Sequence, residues 1–205
     1  MTLSQYAAGF LCTLLLWSQA ATADGTQPSF DCLKASSDAE ELICADKKLA
    51  ALDRRLATRF EAAMQAARAQ DAGADAAAKN LRATQRGWIK GRDDCWKAKD
   101  LKTCVTDAYL MREGDLVARW MLQEPAQVVR YGCNGNPADE VTVMFFDTEL
   151  PSIRLEYGDG VDTGTKVRMG SGSRYMASFG RSIWVKGSEA MFAWEEGKEM
   201  ACVLQ

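Results

Sequence analysis

Two textures of hydrophobic patterning divide the chain. Through residues 24–124, apolar side chains return every three or four positions, the period of a helix with one buried face. Leu49, Leu52, Leu56, Phe60 and Met64 make one such stripe. Leu81, Gln85, Trp88, Ile89 and Trp96 make a second, and Val105, Tyr109, Leu116, Val117 and Trp120 a third. Ser37-Asp38-Ala39-Glu40 is a capping box: its hydroxyl and carboxylate satisfy backbone donors left unpaired in a first helical turn, so a helix starts there. Gly73 marks the turn before the second stripe. These stripes are read as core, with no cofactor assigned to them.

Near Glu124-Pro125 the period changes from helical to alternating. Pro125 is a natural helix stop. Val128-Val129-Arg130-Tyr131, Val141-Thr142-Val143-Met144-Phe145-Phe146 and Ile153-Arg154-Leu155-Glu156-Tyr157 read as short strands. Asn134-Gly135-Asn136-Pro137, Gly158-Asp159-Gly160 and Gly170-Ser171-Gly172 are turn signals between them. Further strands are expected around 166–169, 174–179, 182–185, 190–194 and 200–204. About eight strands in so short a stretch leave no room for parallel crossovers, so the sheet is antiparallel, as a small barrel or sandwich. Closing it would remove exposed edges. The predicted fold class is therefore α+β and two-domain: a small helical module over 24–124, then an antiparallel β-barrel of about eight strands over 125–205.

Residues 1–23 read as a secretory signal peptide, an apolar run from Ala7 to Trp17 with Ala21 and Ala23 before a cleavage point at Asp24. Cys12 lies inside that run with no small residue immediately before it, which favours a soluble product over a lipoprotein and gives no stable membrane insertion. Six cysteines then remain, Cys32, Cys44, Cys95, Cys104, Cys133 and Cys202, and an even set in an exported chain points to three disulfides. A zinc site is the rival reading, but there is no CxxC pair and no histidine. That absence also removes His-based triads and nearly all catalytic metal sites, which disfavours an enzyme and leaves no metal or cofactor to assign.

Charge separates the halves as well. Residues 24–124 carry 17 acidic and 17 basic side chains, whereas residues 125–205 carry 11 and 8, so the net charge of −3 resides in the stranded half. An acidic surface disfavours nucleic acid and suits a basic protein partner. Oligomeric state is not set by any of these features.

The C-terminal half, residues 128–205, resembles the MliC/PliC inhibitors of c-type lysozyme. The resemblance rests on Tyr131-Gly132-Cys133, Val141-Thr142-Val143-Met144-Phe145, Ser171-Gly172-Ser173-Arg174-Tyr175 and Ile183-Trp184-Val185-Lys186-Gly187-Ser188-Glu189-Ala190, ending at Cys202. It implies an eight-stranded barrel that blocks lysozyme, with Ser171 and Lys186 entering the enzyme's cleft and Gly172, Arg174, Tyr175 and Gly187 shaping the two loops. It also implies pairing of Cys133 with Cys202. The departure is Ser173, where the family usually has Ala. The N-terminal half resembles the LprI-like module of exported bacterial proteins over about 30–120. Cys32-Leu33-Lys34-Ala35, Glu41-Leu42-Ile43-Cys44, Gln85-Arg86-Gly87-Trp88-Ile89, Arg92-Asp93-Asp94-Cys95, Cys104 and Tyr109 carry that likeness. Cys32, Cys44, Cys95 and Cys104 would pair among themselves, in any of three ways. Gln85, Arg92 and Asp93 share a helix face and are expected to hold helices together. The competing function is an envelope module that binds glycan or peptidoglycan through surface aromatics. A glycosidase would need two carboxylates facing one cleft, and no motif supplies them.

Overall fold

A computed structural model describes residues 26–136 and 138–205. The expected signal peptide, with Cys12, and Pro137 of the first turn signal lie outside the described residues. Four helices come first: α1 (Asp38–Ala45), α2 (Lys47–Arg68), α3 (Ala74–Asp93) and α4 (Leu101–Trp120). Eight strands follow: β1 (Gln127–Cys133), β2 (Glu140–Phe146), β3 (Ser152–Tyr157), β4 (Gly160–Val167), β5 (Ser173–Ala177), β6 (Ser182–Lys186), β7 (Glu189–Glu195) and β8 (Lys198–Leu204).

The capping box opens α1 as its chemistry requires. The Ser37 hydroxyl accepts from the Glu40 N–H at 3.2 Å, while the Glu40 carboxylate reaches back to the Ser36 N–H at 2.9 Å. The helical run then breaks at Asp46. Its backbone N–H closes α1 on the Leu42 carbonyl, and its side chain caps α2 by accepting from Lys48 and Leu49. Ile43, Leu49, Leu56, Leu81, Val105, Tyr109 and Leu116 are buried together as the helical core. Two members of the second stripe are not. Ile89 is 36% exposed and Trp96 61%. On α3 the buried face runs through Leu81, Trp88 and Arg92, and Ile89 is one residue, hence about 100°, off that line. Trp96 falls beyond the end of α3, in a 3₁₀ turn where the helical period no longer applies.

The pairs Cys32–Cys44 and Cys95–Cys104 staple the helical half, so one of the three possible connectivities is selected. Arg92, 4% exposed, donates to the Tyr109 hydroxyl and to Asp93, and Tyr109 in turn donates to Asp53 at 2.8 Å. Gln85 accepts from Arg112 at 3.0 Å. This polar seam ties α2, α3 and α4 together. Burial, with Asp53 adding to it, pushes the Tyr109 phenol well above its ordinary value, so it stays a neutral donor.

The strands close into an up-and-down antiparallel barrel in sequence order. The seam between β1 and β8 is short, pairing Tyr131 with Leu204, Gly132 with Val203 and Cys133 with Cys202, and the Cys133–Cys202 disulfide lies across it. The fourth strand differs from expectation, spanning 160–167 rather than 166–169. Gly158-Asp159 alone make the turn, so Tyr157 and Gly160 pair at once and the strand begins earlier. The fifth strand stops at Ala177, because Ser178–Gly180 turn the chain with Phe179 in left-handed backbone (φ 53°).

The two halves touch along α4, which covers β2, β3 and β4. Val117 and Ala118 pack on Phe146. Gly114 permits the close approach: a Cβ there would stand 2.9 Å from the Ser152 Cβ. Arg119 donates to Thr163 at 3.1 Å and pairs with Asp162, while Arg55 pairs with Glu149 at 2.7 Å.

Candidate functional site

In an up-and-down barrel alternate connectors open at the same end. The β2–β3, β4–β5 and β6–β7 connectors therefore share one end of this one. Ser171 lies in the β4–β5 connector, and Lys186 closes β6 where the chain enters the β6–β7 turn. β5 and β6 are neighbours, with Ser173 opposite Val185. The residues just beyond that pair, Ser171 on one strand's approach and Lys186 on the other's exit, thus fall on adjacent loops.

A specific contact holds the first loop against the second strand. The Trp184 indole N–H donates to the Ser171 carbonyl at 3.0 Å. Gly172 makes this approach possible. Its φ is +68°, and a Cβ would lie 2.6 Å from the Val185 carbonyl oxygen and 2.7 Å from the Trp184 nitrogen. Any side chain there would be strained and would push the loop off the tryptophan. Gly187 also has a positive φ, +63°, and turns the chain immediately after Lys186.

Ser171 and Lys186 are both exposed. Among the described residues Lys186 makes no ion pair or hydrogen bond, so its ammonium is free for a partner. Beside it, an open groove of about 410 Å³ runs over the outer face of β6–β8 between Trp184, Met191 and Val203. The remaining site residues divide by face. Tyr175 points into the barrel core, 6% exposed and edge-on to Phe145 at 5.6 Å. Burial raises its phenol above the ordinary value, and the Asp147 carboxylate adds to this. Arg174, half-buried opposite Trp184, reaches Ser182 at 3.5 Å. Those two residues brace the strand that carries the loop, while Ser171, Gly172, Lys186 and Gly187 form its surface.

Sequence reading passed over Trp184 as a motif letter without a role. Its position two residues before Lys186, and so on the same face of β6, was the available signal, but the link to Ser171 depends on the β4–β5 loop folding back. Chemically the arrangement offers one mobile cation and one hydroxyl on short, braced loops.

A small closed barrel with a polar two-loop tip, joined to a disulfide-stapled helical module, defines the class of protein. Residues 131–201 match the family described as membrane-bound lysozyme-inhibitor of c-type lysozyme, MliC. Residues 32–133 match the family described as lysozyme inhibitor LprI. The chain is 31% identical over 175 residues to the protein named Lipoprotein LprI of Mycobacterium bovis and of Mycobacterium tuberculosis, covering 82% of this chain and 84% of the relative. The chain belongs to the LprI family of lysozyme inhibitors, with an MliC-type C-terminal half. No helix among the described residues is long and apolar enough to cross a membrane.

Proposed function

We propose that this protein inhibits c-type lysozyme, and protects peptidoglycan from it, by placing Ser171 and Lys186 in the enzyme's active-site cleft. The observation that carries this reading is the unpartnered Lys186 ammonium beside a loop that Trp184 and Gly172 hold in place. A retaining glycosidase presents two carboxyl groups roughly 5 Å apart, one protonated and one ionised. An ammonium meets the ionised one as a charge-assisted hydrogen bond, strengthened where water is excluded. A hydroxyl can donate to one carboxyl oxygen and accept from the protonated group. The pair occupies the cleft without offering a glycosidic bond, so the protein acts as an inhibitor and not as an enzyme. The acidic excess of the stranded half favours encounter with a basic enzyme. Three disulfides suit an oxidising compartment, so we place the protein outside the cytoplasm, periplasmic or secreted.

The test is a cell-wall turbidity assay with purified protein and c-type lysozyme. The wild-type chain should suppress clearing in a dose-dependent way, and a Ser171→Ala/Lys186→Ala variant should not. Equal suppression by both would refute the insertion reading, and no suppression by either would refute inhibition itself.

A further inference from the structure

A second cleft lies where the helical module meets the barrel. It has a volume of about 470 Å³ and is walled by α3 and α4 on one side and by β4, β5 and the turn after β5 on the other. It sits away from the two-loop tip: Ser178, on its rim, belongs to the β5–β6 connector, which opens at the opposite end of the barrel. Pockets of this size, at a junction between structural units, suit a small organic ligand.

Its chemistry narrows the class. Trp120 and Met111 give apolar surface, while Asn80, Thr84 and Ser178 supply amide and hydroxyl groups at the margins. That mixture of an aromatic face with planar and hydroxylated hydrogen-bonding groups matches the alternating apolar and hydroxyl surfaces of a sugar ring. Arg119 adds a charge. Its Nε is held by Asp115 at 3.1 Å and Nη2 by Thr163 and Asp162, leaving Nη1 without a partner among the described residues on a side chain 37% exposed. Of the charged side chains that line the cleft among the described residues, Arg112 and Arg119 both pair with Asp115, a local excess of one positive charge.

A separate observation concerns the turn that supplies the cleft's Ser178 rim. Phe179, adjacent in the chain to Ser178, is 87% exposed and sits in left-handed backbone at φ 53°. A bulky residue gains nothing for the fold in that conformation, where glycine or asparagine would be relaxed. Backbone strain of this kind persists where a side chain's position matters to function. One residue beyond the Ser178 rim, the exposed aromatic ring of Phe179 offers a stacking surface for a sugar.

We propose that the junction cleft, with Phe179 next in the chain to its Ser178 rim, binds a short saccharide carrying a carboxylate, with the free nitrogen of Arg119 taking the acid group. The proposal is independent of the lysozyme reading, because no residue is shared between the two sites. The probes are N-acetylmuramic acid and N-acetylglucosamine, which differ by the lactyl carboxylate, titrated into the isotope-labelled full chain without lysozyme and followed by amide NMR. Resonances of Asn80, Thr84, Met111 and Ser178 should shift, and the acidic sugar should bind about tenfold more tightly than the neutral one, as one charge-assisted hydrogen bond allows. Arg119→Gln should abolish that preference. Phe179→Asn should weaken both sugars while leaving the fold intact or more stable, a combination that loss of structure would not produce. Lys186→Ala should change neither titration. Absence of shifts in the cleft with either sugar, equal binding of the two, or full binding by a folded Phe179→Asn variant would each overturn the proposal.

Discussion

Truncating Lys186 to alanine isolates the interaction on which the inhibitory reading depends. In the free protein the side chain is exposed and makes no ion pair or hydrogen bond among the described residues, so removing it breaks nothing in the fold. Its strand position is fixed by backbone pairing of Lys186 with Glu189, which alanine preserves. Any loss of affinity therefore arises in the complex. There, an ionised lysozyme carboxylate would be left desolvated and unpaired, and deleting one member of such a pair costs about 2–5 kcal/mol, mostly through faster dissociation. That corresponds to a roughly 30-fold to several thousand-fold rise in Kd. Ser171→Ala should cost about 1–3 kcal/mol, because a neutral hydroxyl leaves a smaller unmet demand behind it. Lys186→Arg should restore only part of the affinity, since a planar guanidinium is broader than an ammonium in a narrow cleft. Isothermal titration against c-type lysozyme measures each value, with circular dichroism as the folding control. A well-folded Lys186→Ala protein that binds within about threefold of wild type would refute cleft insertion by this residue.

Four further outcomes are expected. Trp184→Phe keeps the ring but loses the donor to Ser171, so the loop should loosen and lysozyme affinity should fall by about 0.5–1.5 kcal/mol, read by titration calorimetry with an unchanged unfolding midpoint. Replacing Cys133 and Cys202 by serine opens a loop of 69 residues at the shortest seam of the barrel and should cost about 4 kcal/mol in guanidinium unfolding. Residues 125–205 alone should still inhibit, since the tip belongs wholly to the barrel, but should unfold at lower denaturant than the full chain because Phe146 loses its cover from α4. Acid should weaken the helical half: Lys102 beside Asp46, and the Thr103 N–H at Asp100, hold these carboxylates below the ordinary value of 3.8. Depressed carboxylates contribute stability that is present above that value and lost as pH falls through their folded values, so helical ellipticity should hold at neutral pH and decline below about pH 4.

The hydrophobic period alone determined that helices precede strands, because a period of 3.6 or of two follows from which face each element buries, and the short connections between strands determined that they are antiparallel. The even cysteine count pointed to the disulfides, whereas Ser171 and Lys186 were singled out only through the family resemblance of the two motifs that contain them. Three matters were decided only in three dimensions. Asp46 divides one apparent helix into two because its side chain and backbone satisfy different helix ends, which periodicity does not register. Ile89 lies outside the core because Arg92, bonded to Tyr109 and Asp93 from positions 17 residues and one residue away, occupies the buried line of α3, and Trp96 because α3 ends before it. The tip itself exists because strand register sets β5 beside β6 and lets Trp184 reach the Ser171 carbonyl across 13 residues of sequence. Local patterns name the elements and the reactive groups, whereas contacts between residues distant in sequence depend on pairing and close packing that no single segment specifies.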